Sequence, residues 1–414
     1  MSFRQGNTII ARPGILKPVK TETAESAATS SCGIRDTRRL LVLCTTATVT
    51  PARKKEISGA LSGPIDWEYF IGLAGSHGVA PLVSHNLITH GLDGKIPRPY
   101  LERMKQIVHG TLYSNVILSN ELTRLLAAFG KNNVPAIVLK GTTLAEELYG
   151  NLALRTASDM DILVPPENID TAGSLLQQLG YQQRVSPQDW DHPFHEAPFV
   201  RQARRPLMVE LHRNLDNENL VVIPRQRIWG RAVTVRIQGA PVTVLSPEDN
   251  LLFLADHLSK HSTRLLMLLS DIAELLKKYR ETLDWDYVIR SAREWNVAPA
   301  AHFALQRAWE LLGAPVPAYV FADLKVAAWR RGLFALLMDR RYLVSGMNLT
   351  KLRMETATAV RSLMMKTLSQ MLLVHSRNRR GKKMAWLGAV VWLIAVLGAA
   401  LGRRAVGVVD RSGY

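Results

Sequence analysis

The chain has 414 residues, of which 47% are apolar and 21% are charged. This length allows two or three domains, and the composition excludes a disordered chain, a collagen and a coiled coil. The two cysteines, Cys32 and Cys44, exclude a disulfide framework and a Cys-rich zinc module, and they indicate a reducing, cytoplasmic compartment.

The net charge of +17 is concentrated near the C-terminal end of the sequence. Residues 325–414 contain 17 Lys and Arg but three acidic residues, a net charge of +14, so the rest of the chain carries +3. A folded domain that binds nucleic acid needs basic side chains over its own surface. We therefore expect a basic C-terminal tail and no specific nucleic-acid partner.

An uncharged run of 19 residues covers 384–402, close to the ~20 residues that a helix needs to cross a bilayer. More Lys and Arg precede this run than follow it, which predicts a cytoplasmic body anchored to the inner face of the membrane. The basic residues before the run predict contact with an anionic membrane surface. A buried or interfacial helix is the alternative, because Ala and Gly make up much of the run.

Helical periodicity dominates on both sides of the middle of the chain. After a polar N-terminus, 1–36, that is predicted to be disordered, apolar residues at helical spacing predict a helical region over 37–130. A second helical region is predicted over 246–345, with its last helix at 320–343. The segments predicted beyond it are a basic helical linker, the candidate transmembrane helix and a short tail, over 346–383, 384–402 and 403–414.

Residues 131–245 have the pattern of an α+β core. A β-branched run over 134–139 ends at Lys140-Gly141 and predicts a strand that enters a turn, and MDILV predicts a second strand over 160–164. The fold class is therefore α+β, with a small mixed sheet flanked by the two helical regions. The remaining strands are predicted over 196–200, 207–212 and a hairpin at 232–245 that turns at Gly239-Ala240.

Three acidic side chains lie on two of these strands. Asp159 and Asp161 are separated by one residue, so strand alternation puts both carboxylates on one face. Two carboxylates that close repel each other unless a cation lies between them, and such a pair suits Mg²⁺. An isolated Asp-x-Asp is also typical of a solvated turn. Glu210, on the polar face of LMVELH with His212, could complete a three-carboxylate metal site, and an exposed strand residue paired with arginine is the alternative.

Candidate phosphate ligands surround the Asp pair. Lys140, Gly141 and Thr142 follow a predicted strand and open a helix, so that free backbone N–H groups point where a phosphate could bind. Arg155 and Ser158 lead directly into the Asp pair and could hold the same triphosphate. For Lys140, a surface ion pair is the alternative interpretation.

Two histidines occur on a predicted helix further along the chain. His257 and His261 are four residues apart and share a face. That spacing suits zinc, but no third strong ligand is placed by the sequence, so lining of the cleft or capping of a neighbouring helix is favoured. Asp271, on the next helix, is expected to orient one of these histidines. Together with His212, these residues are candidates for contacting and orienting the side chains that bind the metal or the substrate.

Taken together, these motifs resemble the nucleotidyltransferase superfamily with the polymerase-β-like fold. More closely, the chain is similar to a bacterial family usually labelled an uncharacterised nucleotidyltransferase. The matching segments follow the order of the family: IVLKGTTLAEELYG, LRTASDMDILV, VELHRNL, LSPEDNLLFLADHLSKH and LLSDIAELL.

The resemblance implies a role for each candidate residue. Asp159 and Asp161 would hold Mg²⁺, with Mn²⁺ as the alternative, and Glu210 would be the third carboxylate ligand, which helps to activate the attacking hydroxyl. The chain departs from the wider superfamily at the phosphate turn, where Lys140-Gly141-Thr142 replaces the usual Gly-Ser. The same replacement is found in this family and in abortive-infection nucleotidyltransferase toxins.

The leading hypothesis is an enzyme that moves a nucleotidyl group from an NTP, with ATP preferred, to a hydroxyl acceptor and releases pyrophosphate. The acceptor would be a small molecule, a peptide or a polymer. A toxin-like enzyme that modifies RNA is one alternative, although the charge of +3 outside the tail disfavours a long nucleic-acid groove. A catalytically degenerate accessory protein tethered to the membrane is the other, and the intact set of Asp159, Asp161 and Glu210 disfavours it.

Overall fold

Two groups of helices lie on either side of an α+β core in the sequence. The computed structural model describes residues 24–184, 196–215, 223–260, 265–328 and 331–332. The first group is α1 (Ala24–Cys44), α2 (Pro51–Ala60), α3 (Trp67–Ser76), α4 (Ala80–Thr89) and α5 (Arg98–Lys131). The second group is α9 (Pro247–Lys260), α10 (Leu265–Lys278), α11 (Trp285–Glu294), α12 (Ala298–Leu312) and α13 (Ala318–Asp323).

The core between these groups contains the strands and three short helices. The strands are β1 (Ile137–Val138), β2 (Met160–Leu163), β3 (Gln182–Gln183), β4 (Glu196–Arg201), β5 (Leu207–His212), β6 (Val233–Ile237) and β7 (Ala240–Val244). The helices are α6 (Thr142–Tyr149), α7 (Ile169–Gln178) and α8 (Arg225–Arg231).

In the described part of the chain, the strands form one mixed sheet in the order β3-β4-β5-β2-β1-β7-β6. The central pair, β2 and β5, is parallel, and β1 lies antiparallel to β2 and parallel to β7. The outer pairs β3–β4, β4–β5 and β6–β7 are antiparallel. The predicted α+β class with a mixed sheet and flanking helices is confirmed.

Each face of the sheet packs against its own hydrophobic cluster. On one face, Ile162 and Val209 pack with residues of α5 and α7. On the other face, Leu163 joins a larger cluster built from α1–α4 and α9–α12. The two helical groups, separate in the sequence, therefore share one core. Helix α5 contacts both clusters, since Met104 belongs to the larger one and Leu125 to the smaller one.

Three local features differ from the expectations. Helix α1 begins at Ala24, so residues 24–36 are helical rather than disordered. The predicted helix 320–343 does not continue past its first turn, because α13 ends at Asp323 and Lys325 has a φ of +52°, which a helix does not tolerate. The β6–β7 hairpin turns at Gln238-Gly239, one residue earlier than predicted, because these two residues have positive φ as a two-residue turn of this kind requires.

Several expectations concern segments that lie outside the described residues. They are most of the N-terminus, the basic linker, the candidate transmembrane run at 384–402 and the final tail. Within the described ranges, none of the helices combines the length and the apolar character needed to cross a membrane.

A buried carboxylate holds α5 against the edge of the sheet. Glu121 accepts hydrogen bonds from the Tyr181 hydroxyl at 2.7 Å and from Arg124 at 2.6 Å, and it pairs with Arg201 of β4 at 2.8 Å. Burial works to raise the pKa of Glu121, but the hydrogen bonds from Arg124 and Tyr181 and the nearby positive charges outweigh it and hold the pKa below its usual value.

We expect Glu121→Gln to lower the free energy of unfolding by roughly 2 kcal/mol at pH 7, the scale of hydrogen bonds to a charged group. A carboxylate whose pKa is lower in the folded state stabilises the fold above its unfolded pKa of about 4.3 and loses this effect as the pH falls through the folded value. The difference between variant and wild type should therefore shrink below about pH 4.3, measured by denaturant unfolding. Glu102→Gln, at an exposed ion pair on the same helix, should change stability by less than about 0.5 kcal/mol. A pH-independent difference would contradict this account.

Candidate functional site

The register of the two central strands brings two carboxylates side by side. In the parallel pair β2–β5, Asp161 is the direct partner of Glu210. Alternation along the strands puts the apolar neighbours Met160 and Val209 on the opposite face, in the cluster with α5 and α7. Asp161 and Glu210 consequently lie on the face that is turned toward the shared helical core.

A lysine from the next strand contacts this pair. Lys140 follows β1, which lies beside β2, and its Nζ is 2.6 Å from Oδ1 of Asp161 and 3.9 Å from Oε2 of Glu210. The ring Nε2 of His212, two residues after Glu210 on β5, lies 3.2 Å from the same Oδ1 of Asp161. Asp161 is fully buried, so both contacts are made away from solvent.

The charges of the cluster shift one another strongly. Burial works to raise the pKa of Asp161, but the Lys140 ammonium and His212 outweigh it and hold the pKa well below its usual range. Burial and the Asp161 charge raise the pKa of Glu210 to about 9. The pKa of Asp159 is also raised, first by burial and then by the charge of Asp161. In this cluster Asp161 therefore carries the negative charge beside Lys140, whereas burial and the charge of Asp161 make Glu210 and Asp159 harder to ionise.

The donor set fits a divalent cation. One ligand atom from each of Asp161, Glu210 and His212 lies within 4.8 Å of the others. The second carboxylate oxygen of Asp161, Oδ2, is buried and has no hydrogen-bond partner among the described residues. Repulsion between neighbouring carboxylates is relieved by a cation. Asp159, predicted as a ligand, is not part of this close group but acts on it through its charge.

The predicted phosphate turn has the backbone form that such a turn needs. Gly141 has a φ of +82° and precedes α6, whose first residues Thr142 and Thr143 have N–H groups without partners inside the helix. A Cβ atom at position 141 would lie 3.2 Å from the carbonyl oxygen of Asp159. Glycine thus allows the turn to pass close to the carboxylates. Ser158, predicted as a further phosphate ligand, is exposed next to Asp159.

Arg155 occupies a different place from the one predicted. Its guanidinium donates to Oδ1 of Asp271 at 2.8 Å, to Oδ2 at 2.9 Å and to the carbonyl of Gly141 at 3.1 Å. The Arg155 side chain is 3% exposed, so its donors are used within the protein rather than turned toward a phosphate. Asp271 also accepts a hydrogen bond from the Tyr149 hydroxyl at 2.8 Å. The expected role of Asp271 in orienting a histidine is therefore corrected: it fixes Arg155.

These contacts connect the phosphate turn with both helical groups. Arg155 reaches from the loop before β2 to Asp271 on α10 and to the turn at Gly141. On the other side, the buried amide of Asn115 on α5 donates to the carbonyls of Leu152 and Arg155 at 2.7 and 2.6 Å. The loop that leads into Asp159 and Asp161 is thus held from two directions.

His257 of the C-terminal region is not part of the close group formed by Asp161, Glu210 and His212. His257 lies on α9, where its ring stacks on that of Phe253 at 5.8 Å. His261 lies outside the described residues.

Reasoning from the sequence missed two features of the site. A surface ion pair was the alternative for Lys140, but its buried partner Asp161 was not identified, because the contact depends on β1 lying beside β2. The contact of His212 with Asp161 was partly predictable, since strand alternation already placed His212 on the same face as Glu210. Predicting this contact also requires the parallel pairing of β2 with β5, which the sequence did not reveal.

We expect Asp271→Ala to lower the free energy of unfolding by about 3–5 kcal/mol, because it leaves the Arg155 guanidinium buried without a counter-charge. Asp286→Ala, at an exposed position on the neighbouring helix α11, should change stability by less than about 0.5 kcal/mol. Denaturant unfolding measures both. The double variant Arg155→Met/Asp271→Leu should recover much of the lost stability, and a double variant as unstable as Asp271→Ala would contradict the assigned pairing.

A comparison of sequences identifies a family. The model of a family described as an uncharacterised nucleotidyltransferase matches residues 63–313, which are 251 of the 414 residues. The match includes all of the described site residues. None of the curated proteins matches the chain.

Solved structures with a similar fold are distant. An antigenic nucleotidyltransferase-like protein from Paracoccidioides brasiliensis is 14% identical with a TM-score of 0.32, over 50% of this chain and 96% of that protein. The antibiotic-resistance factor ANT(2'')-Ia is 16% identical with a TM-score of 0.27, over 54% of this chain and 96% of that protein. Likenesses at this level say nothing about the activity of this chain.

Proposed function

Because the chain belongs to the family of uncharacterised nucleotidyltransferases, we propose that it transfers a nucleotidyl group from an NTP to a hydroxyl acceptor. Mg²⁺ is the proposed metal, with Mn²⁺ as the alternative, and ATP is the proposed donor. The acceptor is a hydroxyl of a small molecule, a peptide or a polymer. The observation that carries the proposal is the pairing of Asp161 with Glu210 in register, beside the glycine turn that opens α6.

The carboxylates of Asp161 and Glu210 would hold the metal. Carboxylate oxygens are ligands that Mg²⁺ prefers in proteins, and the hydrogen bond from His212 would fix the orientation of Asp161. When bound, a divalent cation polarises phosphate oxygens and lowers the pKa of an attacking hydroxyl. Asp159, which directly precedes β2, acts electrostatically on Lys140 and Asp161 and adds to the acidic character of the site.

The turn at Gly141 would bind the triphosphate. The N-terminus of α6 offers backbone N–H groups of Thr142 and Thr143 and the positive end of the helix dipole. Lys140, the residue before the glycine, adds a positive charge at the same place. Arg155 supports this turn through the carbonyl of Gly141 and does not itself contact phosphate in this account.

Glu210 would accept the proton of the acceptor hydroxyl. Its side chain is 22% exposed, whereas that of Asp161 is fully buried, so an acceptor can approach Glu210 from solvent. In the balanced reaction, the acceptor oxygen forms a bond to the α-phosphorus and the bond between that phosphorus and pyrophosphate breaks. A cation held beside Glu210 would favour its ionised form, so that the Glu210 carboxylate could take up the proton, and pyrophosphate leaves with the bonding electrons.

We expect Glu210→Gln to lower NTP turnover by roughly 10²-fold or more, the scale of losing a positioned base, while NTP affinity changes by no more than a few-fold. Binding and turnover are measured on the same full-length protein, with each labelled NTP and a panel of hydroxyl acceptors. Glu196→Gln is the matched control, because Glu196 also contacts His212, at 3.7 Å, but lies outside the carboxylate pair. It should retain turnover within a few-fold.

Other outcomes of this experiment lead to different conclusions. Full turnover by Glu210→Gln would contradict the role of Glu210. NTP binding by the wild type without turnover of any acceptor would favour the degenerate accessory protein. Transfer to RNA in preference to small hydroxyl compounds would favour the toxin-like alternative.

For localisation, we propose that the enzyme works at the cytoplasmic face of a membrane. The proposal is supported by the sequence pattern alone, the uncharged run at 384–402 and the Lys and Arg before it. We expect the full chain to sediment with membranes and a variant truncated before residue 384 to be released into the soluble fraction. Full-length protein that stays soluble at low salt without detergent would contradict the anchor.

A further inference from the structure

Lys140 lies where a metal-binding cluster needs positive charge. Its ammonium is 2.6 Å from Asp161 and 3.9 Å from Glu210, and its side chain is 14% exposed. Both carboxylates are the ones that the proposed function assigns to the metal. Lys140 therefore neutralises the same carboxylates that the proposed function assigns to a divalent cation.

Arg155, the nearby arginine, does not neutralise these carboxylates. The guanidinium of Arg155 is bound to both oxygens of Asp271 and to the Gly141 carbonyl. Among the described residues, Lys140 is the lysine or arginine that forms ion pairs with Asp161 and Glu210. The two carboxylates thus share one flexible cation, with a compact charge at the end of a four-carbon chain.

Resting on the proposed function, we propose that Lys140 is an exchangeable counter-ion: its ammonium occupies the carboxylates in the metal-free protein and transfers to a phosphate of the NTP when metal and nucleotide bind. The position of Lys140 permits both contacts. It immediately precedes Gly141 and the N-terminus of α6, the place assigned to the triphosphate. The same side chain therefore lies between the carboxylates and the phosphate turn.

The exchange has a thermodynamic consequence. A divalent cation that binds alone meets the like charge of Lys140 on the same carboxylate and must displace the ammonium into an environment without a new partner. A cation that arrives with an NTP brings the phosphate that accepts the ammonium. Metal and nucleotide consequently bind with positive coupling, and this coupling must be equal in both directions.

The test compares metal binding by full-length wild type and Lys140→Met. Mn²⁺ serves as the probe, and free Mn²⁺ is measured by electron paramagnetic resonance with and without a non-hydrolysable NTP analogue. Without nucleotide, Lys140→Met should bind Mn²⁺ roughly tenfold tighter or more, within the usual range of coupling between ligands. The analogue should tighten Mn²⁺ binding by a smaller factor in the variant than in the wild type.

Two controls separate the exchange from a general loss of charge. Lys140→Arg keeps the cation and should bind Mn²⁺ alone no more tightly than the wild type. Lys131→Met removes an exposed lysine at the end of α5 and should leave Mn²⁺ binding unchanged. Equal or weaker Mn²⁺ binding by Lys140→Met would overturn the proposal, since it would mean that the ammonium and the metal do not compete.

Thermal unfolding gives a second readout that keeps the proposal testable if the variant is unstable. A ligand that binds the folded state stabilises it, so saturating Mn²⁺ should raise the Tm of Lys140→Met more than that of the wild type. If Lys140→Met is unfolded without metal, Mn²⁺ should restore the fold. Failure to fold at any Mn²⁺ concentration would contradict the exchange, because the metal could not then replace the ammonium.

The outcome for the wild type distinguishes this proposal from the proposed function. Mn²⁺ binding by the wild type with the NTP analogue, abolished in Asp161→Asn, places the metal at the carboxylates. If that binding is present but Lys140→Met binds Mn²⁺ no more tightly, the exchange is wrong and the function stands. If the wild type binds neither Mn²⁺ nor the analogue at this site, the proposed function itself is wrong.

Discussion

The charge balance around Asp161 is the constraint on which the centre of the molecule depends. A fully buried carboxylate is costly unless a cation and hydrogen bonds satisfy it, and Asp161 obtains both from neighbouring strands. Lys140 comes from the end of β1 and His212 from β5. The order β5-β2-β1 is thus tied to one side chain. A shift of one residue in β2 would turn Asp161 into the apolar cluster of α5 and α7, which fixes the register.

The second buried ion pair extends this constraint to the helices. Arg155 and Asp271 join the loop before β2 to α10, although they are 116 positions apart in the chain. Because Arg155 also holds the carbonyl of Gly141, the packing of α10 influences the turn assigned to phosphate. The shared core of the two helical groups therefore does more than cover the sheet, since it supports the backbone that carries the carboxylates.

The sequence was most informative where the pattern is local. Strand alternation correctly placed Glu210 and His212 on one face, and the boundaries of β5 agree with those predicted. The partner of Arg155 could not be predicted in the same way, because a side chain next to the Asp pair is indistinguishable, in sequence, from a phosphate ligand. Its partner is chosen by how α10 packs on the sheet. The contact of Lys140 with Asp161 likewise requires the pairing of β1 with β2, a long-range choice.

The proposed exchange of Lys140 between the carboxylates and a phosphate accounts for a lysine at position 140. An arginine could bind a carboxylate through two parallel hydrogen bonds, which would hold it firmly and oppose its release. A lysine offers a point charge on a flexible chain, strong enough at 2.6 Å to neutralise Asp161 and still able to leave. A neutral residue would leave the buried carboxylates uncompensated until a metal arrived. A lysine can thus neutralise the buried carboxylate of Asp161 and still move away when a metal binds.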